Sequence, residues 1–291
     1  MSTLAGKRIV LTGASRGIGR ETALALGKMG AHLTLVVRDK ERGNAVADEV
    51  RALDSSGAAP EVEVFVGDLS SLADVRRVAA EVLAKHDSID VLVNNAGAIL
   101  TERQVTKDGY EATFATNHLA YFLLTKLLLD AVKKGSGPGG AGPRIVNVAS
   151  DAHHRGSLSF DDLMGEKRYV GWRQYSTSKL ANILFTSHLA KTLEGTNVTT
   201  NSLHPGVIAS GFAHNNAGLV GFLAKVAAPF LMSSENGAKT TLFLATDASV
   251  AKVSGKYFAK SREQKPSREA RDASIAKRLW DVSEELVARG A

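Results

Sequence analysis

Short apolar runs alternate with helical patterns along most of the chain, and this alternation constrains the fold more than any other feature. Runs of strand length, such as RIVLTG, HLTLVVR and IDVLVNN, are separated by segments in which apolar residues recur at helical spacing. Alternation of this kind predicts βαβ units, in which helices connect parallel strands and cover both faces of the sheet. We therefore predict an α/β fold of Rossmann type, a doubly wound parallel sheet of about seven strands.

The length and apolar content favour one domain that spans residues 1–291. A chain of 291 residues with 44% hydrophobic content can bury a full core, and α/β folds of this length commonly form a single domain. The tract rich in glycine and proline at residues 135–143 joins a helix to the next strand without interrupting the alternation. We expect a surface loop there, and no domain boundary.

Cysteine usage, the first residues and the charge pattern exclude several classes of function. The chain has no cysteine, which removes disulfides, zinc–thiolate sites and thiol nucleophiles. Its first residues lack the pattern of a signal peptide, and its most apolar stretch is too short to cross a bilayer. We therefore expect a cytoplasmic protein without a transmembrane segment. The net charge of +6 comes with interleaved acids and no aromatic ladder, so we expect no nucleic-acid partner.

Residues 12–19, TGASRGIG, directly follow the first predicted strand and open the first predicted helix. Glycine allows a tight turn and a close approach to a ligand, and the first N–H groups of a helix attract an anion. In this position the pattern predicts a cradle for the pyrophosphate of a dinucleotide, the alternative being only a tight strand-to-helix turn. The predicted cradle residues are Gly13, Ser15, Arg16, Gly17, Ile18 and Gly19.

The end of the second strand predicts which dinucleotide binds. Many NAD-binding folds place an acid here to hold the ribose 2′-hydroxyl, whereas this chain has Val37 followed by Arg38. The guanidinium of Arg38, together with that of Arg16, suits a 2′-phosphate, so we predict NADP(H) as the cofactor. Asp39 is the opposing feature, because its carboxylate lies one residue further on. The alternative role of Arg38 is a surface ion pair.

Several further motifs follow in order, and together they resemble the short-chain dehydrogenase/reductase family over nearly the whole chain. They are GDLS after the third strand, NNAG at residues 94–97, TNHLAYFLLT, IVNVAS, YSTSK at residues 175–179 and HPG at residues 204–206. VASDAHH, YSTSKLANILF and the insert at residues 151–174 resemble the subgroup of retinol dehydrogenases and light-dependent protochlorophyllide reductases. The membrane anchor that many retinoid enzymes carry and the cysteine of the light-dependent reductases are absent, so neither substrate is carried over.

The resemblance implies a catalytic group of Ser150, Tyr175, Lys179 and Asn117. Tyr175 would be the proton donor in reduction and the acceptor in oxidation. A free phenol has a pKa of about 10, and we expect the ammonium of Lys179, one helical turn away, to lower it. Ser150 would donate to the substrate oxygen, and Lys179 would also contact the nicotinamide ribose. Asn117 would relay protons through water to Lys179, the alternative being a buried side chain that satisfies local backbone.

The remaining predicted contacts lie at the ends of other strands. We expect Asp68 and Leu69 to face the adenine, Asn94 to brace the strand beside the cofactor, and Ser210 to lie near the carboxamide. The other predicted cofactor contacts are Ala96, Gly97, Pro205, Gly206 and Val207. His153 and His154 are adjacent, and neighbouring residues seldom face one ion, so we predict packing in the substrate pocket and no metal.

An apolar segment after the nicotinamide loop predicts the substrate class. Residues 207–235 combine glycine, alanine and large apolar residues, which is typical of a mobile lid over a lipophilic substrate. The alternative is a helix packed on the core or on a second subunit, and both peripheral membrane contact and homo-oligomerisation stay open. We thus predict an NADP(H)-dependent oxidoreductase that transfers a hydride between nicotinamide and a lipophilic carbonyl or alcohol. The alternatives are a reductase of a ring C=C bond, which the absent cysteine disfavours, and a non-catalytic NADP(H)-sensing protein.

Overall fold

One eight-stranded sheet organises the protein. The computed structural model describes residues 4–53, 61–206 and 233–289. The strands are β1 (Arg8–Thr12), β2 (His32–Val37), β3 (Val62–Val66), β4 (Val91–Asn94), β5 (Arg144–Val148), β6 (Thr199–His204), β7 (Tyr257–Ala259) and β8 (Arg262–Gln264). Across the sheet they follow the order β3-β2-β1-β4-β5-β6-β7-β8, and all neighbours are parallel except β7 and β8. The prediction of a doubly wound parallel sheet is confirmed.

Among the described residues, the strand β8 is the one addition to the predicted set. It is three exposed residues long and returns antiparallel to β7 through Lys260 and Ser261, whose φ angles are 52° and 57°. Left-handed backbone at two successive non-glycine residues is uncommon and turns the chain sharply. The sequence REQ has neither the apolar alternation nor the length that indicates a strand, so only pairing with β7 reveals it.

Two helical layers cover the sheet, as the alternating pattern predicted. The helices are α1 (Gly17–Lys28), α2 (Lys40–Ala52), α3 (Leu72–Lys85), α4 (Ala112–Phe114), α5 (Ala120–Lys133), α6 (Gly171–Thr192), α7 (Ser234–Thr246) and α8 (Ala273–Arg289). The helices α1, α2 and α7 pack on one face, and α3, α5, α6 and α8 pack on the other. Successive side chains of a strand point to opposite faces of the sheet. Ile9 and Leu11 therefore pack on the face covered by α1, α2 and α7, whereas Val10 packs on the opposite face.

A π-helical turn, Ala115–Leu119, interrupts the helix that the sequence predicts over residues 109–134. Glu111 begins this region, because its fully buried carboxylate accepts from the backbone N–H groups of Thr113 and Phe114. A π turn widens the helix locally and is frequent at functional sites. Here it carries Asn117, which is fully buried, towards the loop after β4.

The strand order places the predicted site at one edge of the sheet. The chain order reverses between β1 and β4, and ligands of such sheets bind beyond the carboxyl ends of the strands at that reversal. Of the predicted lid, residues 207–232 lie outside the described part of the chain, while Ser233 caps α7 by accepting from the backbone of Asn236. None of the helices within residues 4–53, 61–206 and 233–289 is both long and apolar enough to cross a bilayer.

Candidate active site

The turn between β1 and α1 has the close geometry that the glycine pattern predicts. Gly13 and Gly17 have φ angles of 72° and 56°, in the left-handed region that favours glycine. A Cβ atom at Gly19 would lie 2.2 Å from the carbonyl oxygen of Gly13, so a side chain there would collide with the turn. Arg16 precedes α1 without a side-chain cap for the first N–H groups of the helix. The turn therefore fits an anion such as a pyrophosphate.

The charged side chains around this turn differ in whether they already form ion pairs or hydrogen bonds. Arg16 and Arg38 are exposed, and within the described residues neither takes part in an ion pair or side-chain hydrogen bond. Asp39, in contrast, is occupied as the cap of α2. Its carboxylate accepts from the backbone of Arg42 at 3.1 Å and pairs with the Arg42 side chain at 3.3 Å. Two guanidinium groups are thus available at the end of β2, whereas the neighbouring carboxylate is already engaged.

Thr12 and Asn95 brace the glycine turn, and the sequence analysis did not single out either residue. The Thr12 hydroxyl accepts from the backbone N–H groups of Asn95 and Ala96, both at 2.9 Å. The Asn95 side chain donates to the Thr12 carbonyl oxygen at 2.8 Å. These bonds tie the end of β1 to the end of β4 across the point where the strand order reverses. The doublet of asparagines in NNAG is the sequence signal for this contact.

Three of the predicted cofactor contacts lie at the ends of β3 and β4. Asn94 is fully buried and donates to Thr125 at 3.0 Å and to Asn147 at 2.9 Å, so it ties β4 to β5 and α5. Asp68 is half-buried, and its carboxylate accepts from the backbone of Ser70, whereas the Leu69 side chain is buried. This arrangement holds the loop after β3 at the same edge as the glycine turn.

Ser150 and Tyr175 meet at the carboxyl end of β5. The Ser150 hydroxyl oxygen accepts from the backbone of Ala152 at 3.2 Å, and the hydroxyl hydrogen-bonds the Tyr175 phenol. Burial raises the pKa of Tyr175, and the bond with Ser150 lowers it by less. The net direction is opposite to the expectation that a neighbouring ammonium lowers this pKa. Burial outweighs the other influences because it disfavours the charged phenolate.

Lys179 is buried at the centre of the site. Its Nζ donates to the Val148 carbonyl oxygen at 2.9 Å and lies 5.7 Å from the centre of the Tyr175 ring and 5.8 Å from that of Tyr121. Burial lowers the pKa of Lys179 to about 7, because the ammonium has lost most of its water. Near neutral pH only part of the population therefore carries the charge that would stabilise a phenolate.

Asn117 connects the π turn to both neighbouring segments. Its Oδ1 accepts from the Ala98 backbone at 2.7 Å, and its Nδ2 donates to the Ala98 carbonyl and the Ser178 hydroxyl, both at 2.9 Å. Gly97 faces the same point, since a Cβ atom there would lie 3.3 Å from Asn117 Oδ1 and 3.4 Å from Lys179 Nζ. The structure thus brings Asn117, Lys179, Tyr175 and Ser150 together around one edge.

Comparison with known proteins agrees with this geometry. The family model described as short chain dehydrogenase matches residues 7–218. Retinol dehydrogenase 12 of Mus musculus is 42% identical over 282 residues, which cover 97% of this chain and 86% of the relative. The chain belongs to the short-chain dehydrogenase/reductase family. Its relatives place it in the retinol dehydrogenase-like subgroup of that family, so it is an oxidoreductase that transfers a hydride between an alcohol or carbonyl and a nicotinamide cofactor.

Solved structures of the family share the fold. A crystal structure of an uncharacterized protein from Mycobacterium paratuberculosis matches with a TM-score of 0.76 and 33% identity, covering 99% of this chain and 96% of that one. The Pseudomonas aeruginosa RhlG/NADP active-site complex matches with a TM-score of 0.67 and 25% identity, covering 94% and 98%. Each comparison covers more than nine-tenths of this chain, so the fold described above is shared with both structures.

Next to Tyr175 and Ser150, a histidine links Ser150 to the C-terminal segment. His153 is buried, its Nδ1 lies 2.7 Å from the Ser150 carbonyl oxygen, and its Nε2 lies 3.1 Å from the backbone nitrogen of Ser267. One ligand atom each of Asp151, His153 and His154 lies within 4.8 Å of the others, which resembles a metal cluster. Both His153 nitrogens are already engaged, however, so this cluster does not offer three free ligands.

A second network joins the end of β6 to the residue after Ser150. Asp151 accepts from the Tyr257 hydroxyl at 2.6 Å, and its other oxygen lies 3.4 Å from His204 Nε2. His204 ends β6 and directly precedes Pro205 and Gly206, and Gly206 has a φ of 100°. Sequence analysis missed Asp151 and Tyr257, because β5 and β7 are far apart along the chain. The predicted contacts Val207 and Ser210 lie outside the described residues.

Proposed function

We propose that the protein is an NADP(H)-dependent reductase or dehydrogenase for a carbonyl or alcohol of a lipophilic small molecule. The observation that carries the proposal is the grouping of Ser150, Tyr175 and Lys179 at the carboxyl end of β5. Each contacts another member of the group or the backbone of β5. When bound, the nicotinamide supplies the hydride in reduction and accepts it in oxidation.

In this proposal the Tyr175 phenol transfers the proton. In reduction the phenol donates its proton to the substrate oxygen while that oxygen gains negative charge, and in oxidation the phenolate removes the proton again. In the structure the Ser150 hydroxyl accepts the Ala152 N–H and hydrogen-bonds the Tyr175 phenol, and with substrate bound it would donate its proton to the same substrate oxygen. Two donors then converge on one atom, which is the arrangement that stabilises a developing oxyanion.

Lys179 and Asn117 support the phenol. Lys179, with its pKa of about 7, can exchange a proton with solvent near neutrality, and it would return the proton that Tyr175 transfers. Asn117 holds the Ala98 backbone and Ser178 in place around that lysine, which supports its assignment to a water-mediated proton relay. The glycine turn, Ala96, Gly97, Pro205 and Gly206 would hold the cofactor along the same edge.

The preference for NADP(H) rests on charge at the end of β2. Arg38 and Arg16 are exposed and available to a 2′-phosphate. Asp39 is engaged as the cap of α2 and with Arg42, so it is a poor partner for the 2′-hydroxyl that NAD would present there. RhlG, a structural neighbour of this chain, is described as a complex with NADP. These observations support NADP(H) over NAD(H).

A lipophilic substrate is supported by the relatives. Retinol dehydrogenase 12 is named for retinol, an alcohol with a long apolar chain, and the similarity to it extends over 97% of this chain. We propose the same class of substrate here, namely an apolar skeleton that carries one alcohol or aldehyde.

The first prediction tests this function with the purified protein. We expect NADPH oxidation to be measurable with at least one apolar aldehyde, and Tyr175→Phe to lower kcat by a factor of roughly 100 or more because the transferable proton is lost. NADPH binding, followed by fluorescence, should change little. Tyr110→Phe is the matched control: its hydroxyl donates to the Leu286 carbonyl, away from the site, and the variant should keep its activity. Unchanged turnover in Tyr175→Phe would refute the assignment.

A further inference from the structure

The insert that precedes α6 is fixed against the loop after β4. The Tyr169 hydroxyl lies 3.0 Å from the Leu100 carbonyl oxygen and 3.1 Å from the buried Glu111 carboxylate. The Arg103 side chain donates to the Met164 carbonyl oxygen at 3.0 Å. We name these two segments, residues 100–105 and 163–172, the mouth wall. Contacts at both of its ends hold the wall in a defined position.

The start of α6 is closely packed against the other segment of the mouth wall. A Cβ atom at Gly171 would lie 2.1 Å from the Leu100 carbonyl oxygen, so the backbone of α6 touches the loop there. Gly171 is buried, and Trp172 follows it directly. The position of the Trp172 backbone is therefore set by the wall, and its side chain leaves the helix at a fixed point.

Trp172 presents a large aromatic surface beside the proposed proton donor. It precedes Tyr175 by three residues on the same helix face, and the two ring centres are 5.6 Å apart with an interplanar angle of 33°. Trp172 is 51% exposed, although tryptophan is buried in most folded proteins. The other tryptophan, Trp280, is packed against the rings of Phe122 and Phe185. An exposed indole beside a reactive group indicates a contact surface for a ligand.

The mouth wall carries other exposed apolar side chains. In the part of the chain that the structure describes, the large apolar residues with the highest exposure are Leu53, Leu83, Val105, Val170 and Trp172. Three of these five belong to the wall. Lys179 and Ser150 are further neighbours of Tyr175: the Lys179 Nζ lies 5.7 Å from the centre of its ring, and the Ser150 hydroxyl hydrogen-bonds its phenol.

We propose that Trp172 is a specificity-determining residue, whose indole packs against the apolar skeleton of the substrate next to the reacting carbon. This inference rests on the proposed function, because the substrate oxygen must lie within hydrogen-bond reach of Tyr175 and Ser150. A skeleton attached to that carbon then extends past the indole, 5.6 Å from the phenol ring. Contact with an aromatic face favours long or planar apolar groups over short ones.

The kinetic test compares hexanal with decanal, using NADPH, in the wild type, Trp172→Ala and Trp172→Phe. We expect Trp172→Ala to raise KM for decanal about tenfold, to change kcat by less than about threefold, and to reduce the preference for decanal over hexanal. Trp172→Phe should recover most of this preference. Leu83→Ala, at a similarly exposed apolar residue on α3, is the control and should behave as the wild type. An unchanged ratio of kcat/KM values in Trp172→Ala would overturn the proposal.

A binding test examines the Trp172 contact independently of the proposed enzymatic function. Without cofactor, titration with 1-decanol should change the tryptophan emission of the wild type, and this change should disappear in Trp172→Phe, where Trp280 remains. Wild-type protein that turns over no aldehyde but shows this emission change would refute the proposed function and support the Trp172 contact. Absence of the emission change in an active wild type would overturn the contact. This emission test uses only the wild type and Trp172→Phe, so it still tests the contact if Trp172→Ala fails to fold.

Discussion

Burial controls the protonation of the residues at the candidate site. Lys179 is surrounded by protein, and its pKa falls to about 7 although its Nζ donates to a backbone carbonyl. His153 is held in its neutral form, because protonation would place a second N–H against the Ser267 backbone N–H, and burial lowers its pKa to about 4. Each side chain therefore keeps its neutral form to a lower pH than the free amino acid does, His153 down to about 4 and Lys179 down to about 7.

The second prediction concerns the charge of Arg38. Arg38→Ala should weaken NADPH binding by roughly tenfold to a hundredfold and leave NADH binding almost unchanged, because one charge-assisted pair with the 2′-phosphate is lost. Titration of both cofactors by fluorescence measures this. Lys134→Ala removes an exposed positive charge just after α5 and is the matched control, with little effect expected on either cofactor. Equal loss of NADPH and NADH affinity in Arg38→Ala would count against the proposed selectivity.

Among the elements, the π turn Ala115–Leu119 has the clearest link between local structure and the site. Glu111 caps the short helix before it, and the Asn117 amide bonds the Ala98 backbone and Ser178. These bonds compensate for the unfavourable hydrogen-bond geometry of a π turn. They also connect three elements, the loop after β4, the π turn and α6, around Lys179.

The third prediction concerns a variant, Asn117→Ala, that removes the bonds between these three elements. Asn117→Ala leaves the Ala98 backbone groups and the Ser178 hydroxyl without this partner, so the free energy of unfolding should fall by about 1–3 kcal/mol. Turnover should fall more than cofactor affinity. Urea unfolding and steady-state kinetics measure the two effects. The control is Asn236→Ala, at an exposed asparagine in α7, which should change stability by less than about 0.5 kcal/mol.

For the whole molecule, both helical layers pack on one sheet, and we propose that residues 1–291 form one cooperative domain. The layer of α3, α5, α6 and α8 encloses His118, which is fully buried among the rings of Phe114, Phe122 and Phe185. Burial lowers the pKa of His118 from 6.5 to about 4. The protonation of this core histidine therefore depends on folding.

The fourth prediction follows from that dependence. As the pH falls from about 6.5 towards 4, the unfolded chain binds a proton at His118 that the folded protein does not, so stability should decrease. The contribution of His118 approaches about 3 kcal/mol at the low end of this range. Lys179 does not contribute to the pH dependence of stability in this range, because well below pH 7 it is protonated in both the folded and the unfolded protein. Denaturant unfolding at pH 7, 6, 5 and 4.5 measures the decrease.

The variant His118→Gln tests whether the loss of stability at low pH comes from His118. His118→Gln cannot take up the proton, and the difference in stability between pH 7 and pH 4.5 should be smaller than in the wild type, whatever its stability at pH 7. His154→Gln, at an exposed histidine, should retain the wild-type difference. A decrease of equal size in His118→Gln and the wild type would show that other groups cause it.

The sequence by itself determined the features that depend on neighbours along the chain. The alternation of apolar runs with helical spacing predicted the doubly wound sheet, and TGASRGIG predicted the turn at Gly13 and Gly17, whose positive φ angles glycine permits. Tyr175 and Lys179 lie four residues apart in a helix, so their common face follows from helical geometry alone. These are short-range relations, and they can be worked out without knowledge of the packing.

The tertiary structure decided which distant residues meet and how they are charged. Asp151, His204 and Tyr257 come from the ends of three neighbouring strands, and the pairing of the strands, which the sequence does not state, brings them together. The pKa of Lys179 depends on the number of atoms that displace water around it, and the contact between Gly171 and the Leu100 carbonyl fixes where α6, and with it Trp172, begins. Solvation and long-range packing are properties of the folded chain, which is why the structure was needed to establish them.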